Sequence, residues 1–203
     1  SFFIESMKND LQDISENRLP KLKSIGSTGS PLSEEAFYWL QKKLPRTQLI
    51  SLSGGTDVCS AFLGGNPNLP VYAGYLQCEM LGASVECWNE KGEKLKNETG
   101  ELVITNPMPS MPIYFWGDTQ NKIFKKSYFK KFKDVWTHGD WIQKSETKGI
   151  KILGRSDSTL NRKGVRIGTS EIYRVLDSLD EIIDSIIVDL PNKKDHSKLF
   201  LFV

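Results

Sequence analysis

The sequence contains little cysteine and histidine, with three and two residues respectively among 203. Cys59, Cys78 and Cys87 are odd in number, and their spacings fit neither a zinc site nor a CxxC redox motif. A disulfide framework is therefore not expected, and reduced thiols are typical of the cytosol. We expect a cytosolic protein in which these thiols have no catalytic role.

Long apolar runs and an excess of one charge are also missing. No stretch approaches the roughly 20 apolar residues that a membrane-spanning helix requires. Lysine and arginine total 27 and aspartate and glutamate total 25, so the chain as a whole lacks a field that would draw it to nucleic acid or anionic membranes. We therefore expect small-molecule partners, no nucleic acid and no membrane span. The sequence leaves the oligomeric state open.

The two ends of the chain favour a portion of a longer protein. Residues 1–3 belong neither to a start site nor to a signal peptide, because polar and charged residues follow them. Residues 198–203 have the composition of a strand that stops before it is complete.

Residues 1–69 alternate between strand and helix signals, as in an α/β sheet. Short strands are predicted at 22–25 and 49–52, and a helix between them from a Ser33 cap to about Leu44. The acidic residues of its first turn and the lysines of its last turn suit the helix dipole. One apolar face would pack it on the sheet.

Loops of small residues follow both predicted strands, at the position where α/β sheets bind ligands. Thr56 could donate to a phosphate oxygen, and Asp57 could hold Mg²⁺ beside it, because hard cations take carboxylate oxygens. The alternative is a tight turn, since no Walker motif is present. The candidate residues are Gly29, Ser30, Pro31, Ser53, Gly54, Gly55, Thr56 and Asp57.

From about residue 70 the pattern changes to short alternating strands separated by turn residues. We predict a small β-subdomain over 70–157, which completes a large domain spanning 1–157. A helix and strands then follow, and they make 158–203 the beginning of a separate small domain.

Residues 136–141 place Asp140 in an aromatic, strand-like segment. A carboxylate there could accept hydrogen bonds from both hydroxyls of a ribose, or it could cap a turn beside Gly139. His138 could be a general base, but a structural role is favoured because no partner carboxylate can be assigned from the sequence.

Residues 154–173 combine arginines and glycines ahead of an amphipathic helix. Arg155 and Arg166 offer planar, permanently charged donors suited to phosphate and ribose oxygens. Asp157 lies between them, and the glycines let the backbone approach a ligand closely. The pattern indicates a segment that closes over a polyanion.

Residues 122–133 are rich in lysine, and Phe124, Tyr128 and Phe132 recur every four positions. This spacing predicts a helix with an apolar stripe and a basic face. A non-catalytic module that contacts RNA or membrane is one interpretation. A surface helix docked by its aromatic residues is favoured, because the rest of the chain is not basic.

The order of these motifs resembles the adenylate-forming superfamily, which includes the acyl-CoA synthetases. Within it, SIGSTGSPL, SGGTD, NPNLPVY, WTHGDW, GRSDSTLN and GVRIGTSEIYRVL are most similar to the acetoacetyl-CoA synthetases. The resemblance runs from about residue 22 to the C-terminus. It implies an α/β fold: the C-terminal part of an AMP-binding large domain, followed by the start of a small α+β domain.

The resemblance also implies roles for the loops after the first strands. Residues 29–31 would lie along the adenine, and residues 51–56 beside the adenine, the acyl group and the α-phosphate. Thr56 would donate to that phosphate, and Asp57 would lie near Mg²⁺. Acetyl-CoA synthetases carry a tryptophan at the position of Gly54, so a glycine would leave room for acetoacetate.

Further roles are implied near the predicted domain boundary. Asp140 and Arg155 would hold the ribose from opposite sides. Asp157 would be the hinge of the small domain, and Arg166 would reach the phosphate when that domain closes. Lys163 matches the CoA-binding position of the family less closely.

The implied reaction has two steps and uses ATP, Mg²⁺ and CoA. Acetoacetate attacks the α-phosphate of ATP to give an acyl-adenylate and pyrophosphate, and CoA then displaces AMP. The family's upstream phosphate loop and downstream lysine are not among the 203 residues, so we expect this chain alone to be inactive. Another short-chain carboxylate is the alternative substrate.

Overall fold

The computed structural model describes residues 2–9, 14–157, 160–162, 165–167, 172–173, 175–176, 179, 181–190 and 198–203. Its helices are α1 (Phe2–Lys8), α2 (Glu34–Lys43) and α3 (Lys122–Tyr128). Its strands are β1 (Ser24–Ser27), β2 (Gln48–Ser51), β3 (Ser53–Gly55), β4 (Ser60–Gly64), β5 (Cys78–Glu79), β6 (Val85–Trp88), β7 (Thr99–Ile104), β8 (Trp136–Ser145), β9 (Gly149–Arg155), β10 (Leu160–Arg162), β11 (Val165–Ile167), β12 (Ile186–Leu190) and β13 (Lys198–Phe202).

Strands β1 and β2 are parallel, and α2 forms the crossover between them. The side chain of Ser33 accepts a hydrogen bond from the Ala36 N–H, which caps the helix as predicted. Phe37 and Leu40 are buried on its inner face. β1 continues two residues beyond the predicted strand, because Gly26 and Ser27 pair with β2.

Strands β3, β4 and β5 form an antiparallel sheet with β4 at its centre. Residues 53–55 were expected in a loop, and this expectation is wrong for them. They form β3, which pairs with β4 through an irregular register between Ser53 and Gly54. The glycines permit this close pairing, because a Cβ on Gly54 would lie 2.3 Å from the carbonyl oxygen of Ser60.

Strands β6 to β9 form a four-stranded antiparallel sheet in the order β6-β7-β8-β9. Its buried face includes Val85, Leu102 and Trp136. Phe62 and Leu63 of β4 pack in the same cluster. This cluster therefore takes side chains from both sides of residue 70, where we predicted the boundary between the α/β part and the β-subdomain.

Helix α3 is shorter than predicted, since it ends at Tyr128 rather than near residue 133. It begins where the Asp118 carboxylate accepts hydrogen bonds from the N–H groups of Ile123 and Phe124. Phe124 and Tyr128 pack on the core as predicted, whereas Phe132 lies beyond the helix. α3 is therefore docked by its aromatic side chains.

Beyond residue 157, β10 pairs with β11 and β12 pairs with β13, both antiparallel. Residues 172–173 and 175–176 are helical, where an amphipathic helix was predicted. Arg166 lies in β11, opposite Asn161. Lys163 lies outside the described residues. Within the described part of the chain, no helix has the length and apolar character needed to cross a bilayer.

Candidate active site

Asp140 and Arg155 meet across the β8–β9 hairpin. The antiparallel register places their Cα atoms opposite each other, and Arg155 Nη1 lies 3.6 Å from Asp140 Oδ1. Asp140 is buried, and this burial raises the pKa of its carboxyl to about 6, although the Arg155 charge opposes the rise. The hairpin thus brings together the two residues that were predicted to hold a ribose.

Arg155 also binds the predicted hinge residue, Asp157. Nε donates to Asp157 Oδ1 at 3.0 Å and Nη2 donates to Oδ2 at 2.5 Å, a bidentate arrangement. Nη1 donates to the backbone oxygen of His138 at 3.3 Å. One guanidinium therefore connects the predicted ribose site to the predicted hinge.

His138 is a mostly buried, neutral side chain next to this pair. Its Nδ1 accepts a hydrogen bond from Trp136 Nε1 at 3.3 Å, and Nε2 lies 3.7 Å from Asp140 Oδ2. Desolvation, followed by the Arg155 charge, lowers the pKa of His138 to about 4. These contacts favour the structural role over a general base, because Nδ1 is hydrogen-bonded to Trp136 and the ring packs edge-on against Phe62.

A cavity of about 320 Å³ joins the first loop to the ribose pair. Residues 29–31 line it together with His138, Asp140 and Arg155. Ser53 and Gly54 line the same space. Segments far apart in the sequence thus surround a volume large enough for part of a nucleotide.

A second cavity, of about 270 Å³, lies beside the first one. Gly55, Thr56 and Asp57 line it, and it shares Gly54, His138 and Arg155 with the first cavity. The predicted adenine, ribose and phosphate segments therefore border two adjoining spaces around one arginine.

Asp57 is held by a residue that sequence reasoning treated as part of a surface helix. The hydroxyl of Tyr128 donates to Asp57 Oδ2 at 2.5 Å. The Tyr128 ring stacks on Trp136 at 3.7 Å, with an angle of 12° between the ring planes. Burial, followed by the hydrogen bond to Asp57, raises the pKa of the phenol to about 12, so it remains a donor.

The side chains around Asp57 could hold Mg²⁺ only if water and substrate phosphates supplied most of its ligands. Among the described residues, no group of three or more His, Cys, Asp or Glu side chains converges on a metal position. Mg²⁺ commonly takes one or two carboxylates and completes its shell with water and substrate phosphates. A single carboxylate beside Thr56 is compatible with that arrangement.

Gly54 and Gly55 are constrained by their neighbours. A Cβ on Gly54 would meet the backbone of β4, and a Cβ on Gly55 would lie 2.8 Å from His138 Cε1. A tryptophan at position 54 would therefore require β4 to move. The proposed effect of Gly54 on acyl-group size stays a prediction, and the packing of β4 provides a separate reason for glycine.

Several contributions to these cavities were missed from the sequence. Tyr75, Ile152 and Tyr173 line the larger cavity. Tyr173 ends the segment 154–173 that combines arginines and glycines, but nothing in its spacing indicated a lining position. Its hydroxyl accepts a hydrogen bond from the Ile187 N–H at 3.0 Å. Proximity of this kind depends on packing, which residue spacing does not encode.

Two predicted site residues are not placed beside these cavities by the structure. Arg166 is described as part of β11, and its side chain lies outside the described set. Lys163 is also outside the described residues. Their predicted roles at the phosphate and at CoA stay predictions.

No protein-family model matches the chain. It is 42% identical over 198 residues to acetoacetyl-CoA synthetase of Gallus gallus, an alignment that covers 97% of this chain and 30% of that protein. Acetoacetyl-coenzyme A synthetase of Rhizobium meliloti (strain 1021) is 44% identical over 186 residues, which are 91% of this chain and 28% of that protein.

A solved structure, acetoacetyl-CoA synthetase from Streptomyces lividans, superposes with a TM-score of 0.83 at 37% identity. The match covers 98% of this chain and 31% of that chain. The predicted resemblance and the fold of an adenylate-forming acyl-CoA ligase are therefore confirmed. The chain spans about 30% of the length of the curated relatives it matches.

Proposed function

Because nearly the whole chain is similar to a segment of acetoacetyl-CoA synthetases, we propose that it forms the adenosine-facing part of an ATP-dependent acid–thiol ligase. The acid is acetoacetate, the thiol is CoA, and the intermediate is an acyl-adenylate formed in the cytosol. The observation that carries this proposal is that the Asp140–Arg155 pair lines the same cavity as residues 29–31.

The ribose is held by charge-assisted hydrogen bonds from both sides. Ionised Asp140 accepts from the 2′ and 3′ hydroxyls, and Arg155 donates to sugar oxygens. Gly29, Ser30 and Pro31 border the adenine, where the loop exposes little side chain. The burial of Asp140 supports this role, because a hydrogen bond to a carboxylate gains strength where water is excluded.

The α-phosphate lies beside β3 and the turn that follows it. The Thr56 hydroxyl donates to a phosphate oxygen, and Ser53, Gly54 and Gly55 line the two cavities with little side chain. Asp57 provides one Mg²⁺ ligand, and Tyr128 orients it. When bound, Mg²⁺ neutralises charge that develops on the phosphates.

The reaction needs no covalent enzyme intermediate. A carboxylate oxygen of acetoacetate attacks the α-phosphorus as the bond to pyrophosphate breaks. The CoA thiolate then attacks the acyl carbonyl, and AMP leaves with the bonding electrons. The protein contributes placement and cancellation of negative charge.

A change of domain arrangement separates the two steps. We assign the hinge to Asp157, with the large domain over 1–157 and the small domain beginning at 158. Arg166 then approaches the phosphate and Lys163 approaches CoA as the small domain turns. Coupling of a hinge to successive steps is a common way for one site to perform both.

The test uses the protein expressed from its complete reading frame. Pyrophosphate–ATP exchange is measured with acetoacetate, acetate, propionate and butyrate, and thioester formation is then measured with CoA. Exchange should be fastest with acetoacetate and should fall at least about 100-fold in Arg155→Ala. Faster exchange with another acid would replace the substrate assignment. Absence of exchange together with salt-sensitive binding to RNA or anionic vesicles would favour the interaction module at residues 122–133.

A further inference from the structure

Glu101 is a buried carboxylate that the proposed reaction leaves unused. It lies in β7 with 1% of its surface exposed. Lys131 Nζ lies 2.5 Å from Glu101 Oε2, and the hydroxyl of Ser156 donates to Oε1 at 2.7 Å. Both carboxylate oxygens therefore have a strong partner.

Stability alone is a weak explanation for this arrangement. The Glu101 carboxylate is removed from water, whereas the Lys131 side chain stays 36% exposed, and an apolar residue is often at least as stable at such a position as a buried charge. Lys131 also lies over the Trp141 ring at 5.0 Å, and Trp141 is the partner of Glu101 across β7 and β8. Lys131 thus contacts both the Glu101 carboxylate and the Trp141 ring.

Ser156 lies between the arginine of the ribose pair and the hinge residue. Its N–H donates to the backbone oxygen of Gly139 at 2.8 Å, and its hydroxyl reaches Glu101. Gly139 has a φ of +87°, and a Cβ there would lie 2.7 Å from Arg155 Nη2. Strands β7 and β8 therefore both hold the chain immediately before Asp157.

We propose that Glu101 is a positioning residue that acts through Ser156 on residues 155–157. It holds Arg155 towards Asp140 for the ribose, and it gives the hinge a fixed starting point. This inference rests on the proposed function, because it concerns nucleotide binding at the same site. Glu101 touches neither substrate nor the reacting atoms.

The decisive variant is Ser156→Ala, which removes the hydroxyl and leaves Glu101 with Lys131. Ser156→Thr is the conservative control, since it restores a hydroxyl. Lys131→Met is the matched control for the ion pair, since it affects the carboxylate without touching residues 155–157. Each is made in the protein expressed from its complete reading frame. The dissociation constant of AMP is measured by calorimetry, with the melting temperature recorded alongside.

Ser156→Ala should weaken AMP binding about fivefold to tenfold while lowering the melting temperature little, because one hydrogen bond to a charged group is lost. Ser156→Thr should recover most of the affinity. Lys131→Met should lower the melting temperature more than Ser156→Ala does, and should change AMP affinity less. A purely structural ion pair would not lower AMP affinity most in one variant and the melting temperature most in the other.

The contradicting results are distinct. Parent protein that binds AMP, with Ser156→Ala binding equally well, overturns this inference and leaves the proposed function standing. Losses of affinity that follow the melting temperature in all variants also overturn it, since they assign Glu101 to stability. Parent protein that does not bind AMP overturns the proposed function and this inference with it.

Discussion

The Tyr128 hydroxyl donates a 2.5 Å hydrogen bond to Asp57, a residue 71 positions earlier in the chain. The same ring stacks on Trp136, so the position of the donor is set by the core rather than by α3 alone. A carboxylate proposed to meet Mg²⁺ is thereby oriented by an aromatic residue from a different part of the fold. Partners of this kind tune the affinity of the metal ligand they hold.

Tyr128→Phe should raise the Mg²⁺ concentration needed for half-maximal pyrophosphate exchange about tenfold, because ring stacking is kept and the hydrogen bond to Asp57 is lost. Titration of exchange with Mg²⁺ measures the change. The control is Tyr38→Phe on a side chain that is 59% exposed, and it should leave the Mg²⁺ dependence unaltered. Equal Mg²⁺ curves for Tyr128→Phe and parent protein would contradict the role given to Tyr128.

Nucleotide binding should weaken as the pH falls through about 6. Burial raises the pKa of Asp140 to about 6, so its carboxylate becomes protonated there and loses acceptor capacity for the ribose. Calorimetric AMP binding at pH 7.5 and pH 5 measures the effect. Asp140→Asn should bind AMP about tenfold more weakly at pH 7.5 and show a flatter pH dependence. An unchanged slope in this variant would assign the titration to another group.

His138 should make the fold lose stability in mild acid. Desolvation lowers its folded-state pKa to about 4 from 6.5, so the folded protein binds fewer protons than the unfolded chain between these values. The contribution is fully present above about pH 6.5 and is lost as the pH falls towards 4, up to about 3 kcal/mol in total. The buried Asp140 carboxyl, whose pKa is raised, acts in the opposite direction over part of this range.

Urea unfolding of His138→Gln at several pH values separates the two groups. The variant should be less stable than the parent at pH 7.5, and the difference should shrink between pH 6.5 and pH 4.5 because the glutamine does not titrate. A difference in unfolding free energy that stays constant over this interval would show that His138 does not cause the acid sensitivity.

Gly54→Ala should destabilise the fold by about 3 kcal/mol, because the added Cβ meets backbone atoms of β4 that cannot turn away. Gly26→Ala is the matched control. Its Cβ would meet only Leu52 Cδ1 at 3.2 Å, at the end of a flexible side chain, so the cost should be about 1 kcal/mol or less. Equilibrium urea unfolding gives the unfolding free energy of each variant. Similar losses in the two variants would show that close contact between β3 and β4 is not the reason for glycine at position 54.

Much of this arrangement follows from local chemistry that is visible in the sequence. The Ser33 cap and the buried face of α2 occur where charge and periodicity predict them. The pairing of Asp140 with Arg155 was instead implied by the resemblance to the family, and the β8–β9 hairpin places their Cα atoms opposite each other. Local signals succeed in α2 because the capping residue and the periodicity agree with the final packing.

Other features depend on contacts between distant segments. Residues 53–55 gave a loop signal because glycine disfavours strands, yet the approach of β4 makes glycine the residue that fits there. The hydrogen bond between Asp57 and Tyr128 has no local signature. Phe132 matches the helical period of α3, but it packs near Trp88 after the helix has ended. Tertiary packing overrides period and propensity at each of these positions.

The core that spans residue 70 also decides how this region could be exchanged between related enzymes. Phe62 and Leu63 pack in the same core cluster as residues of β6–β9. A transferred segment that starts after them would therefore lack part of its core, with a cavity in the recipient protein and exposed apolar side chains on the segment. A transplantable module would have to start before β3 and carry the Thr56 turn with it. The residues proposed to contact substrate and the residues that support them would then move together, so chimaeras in this region should inherit both.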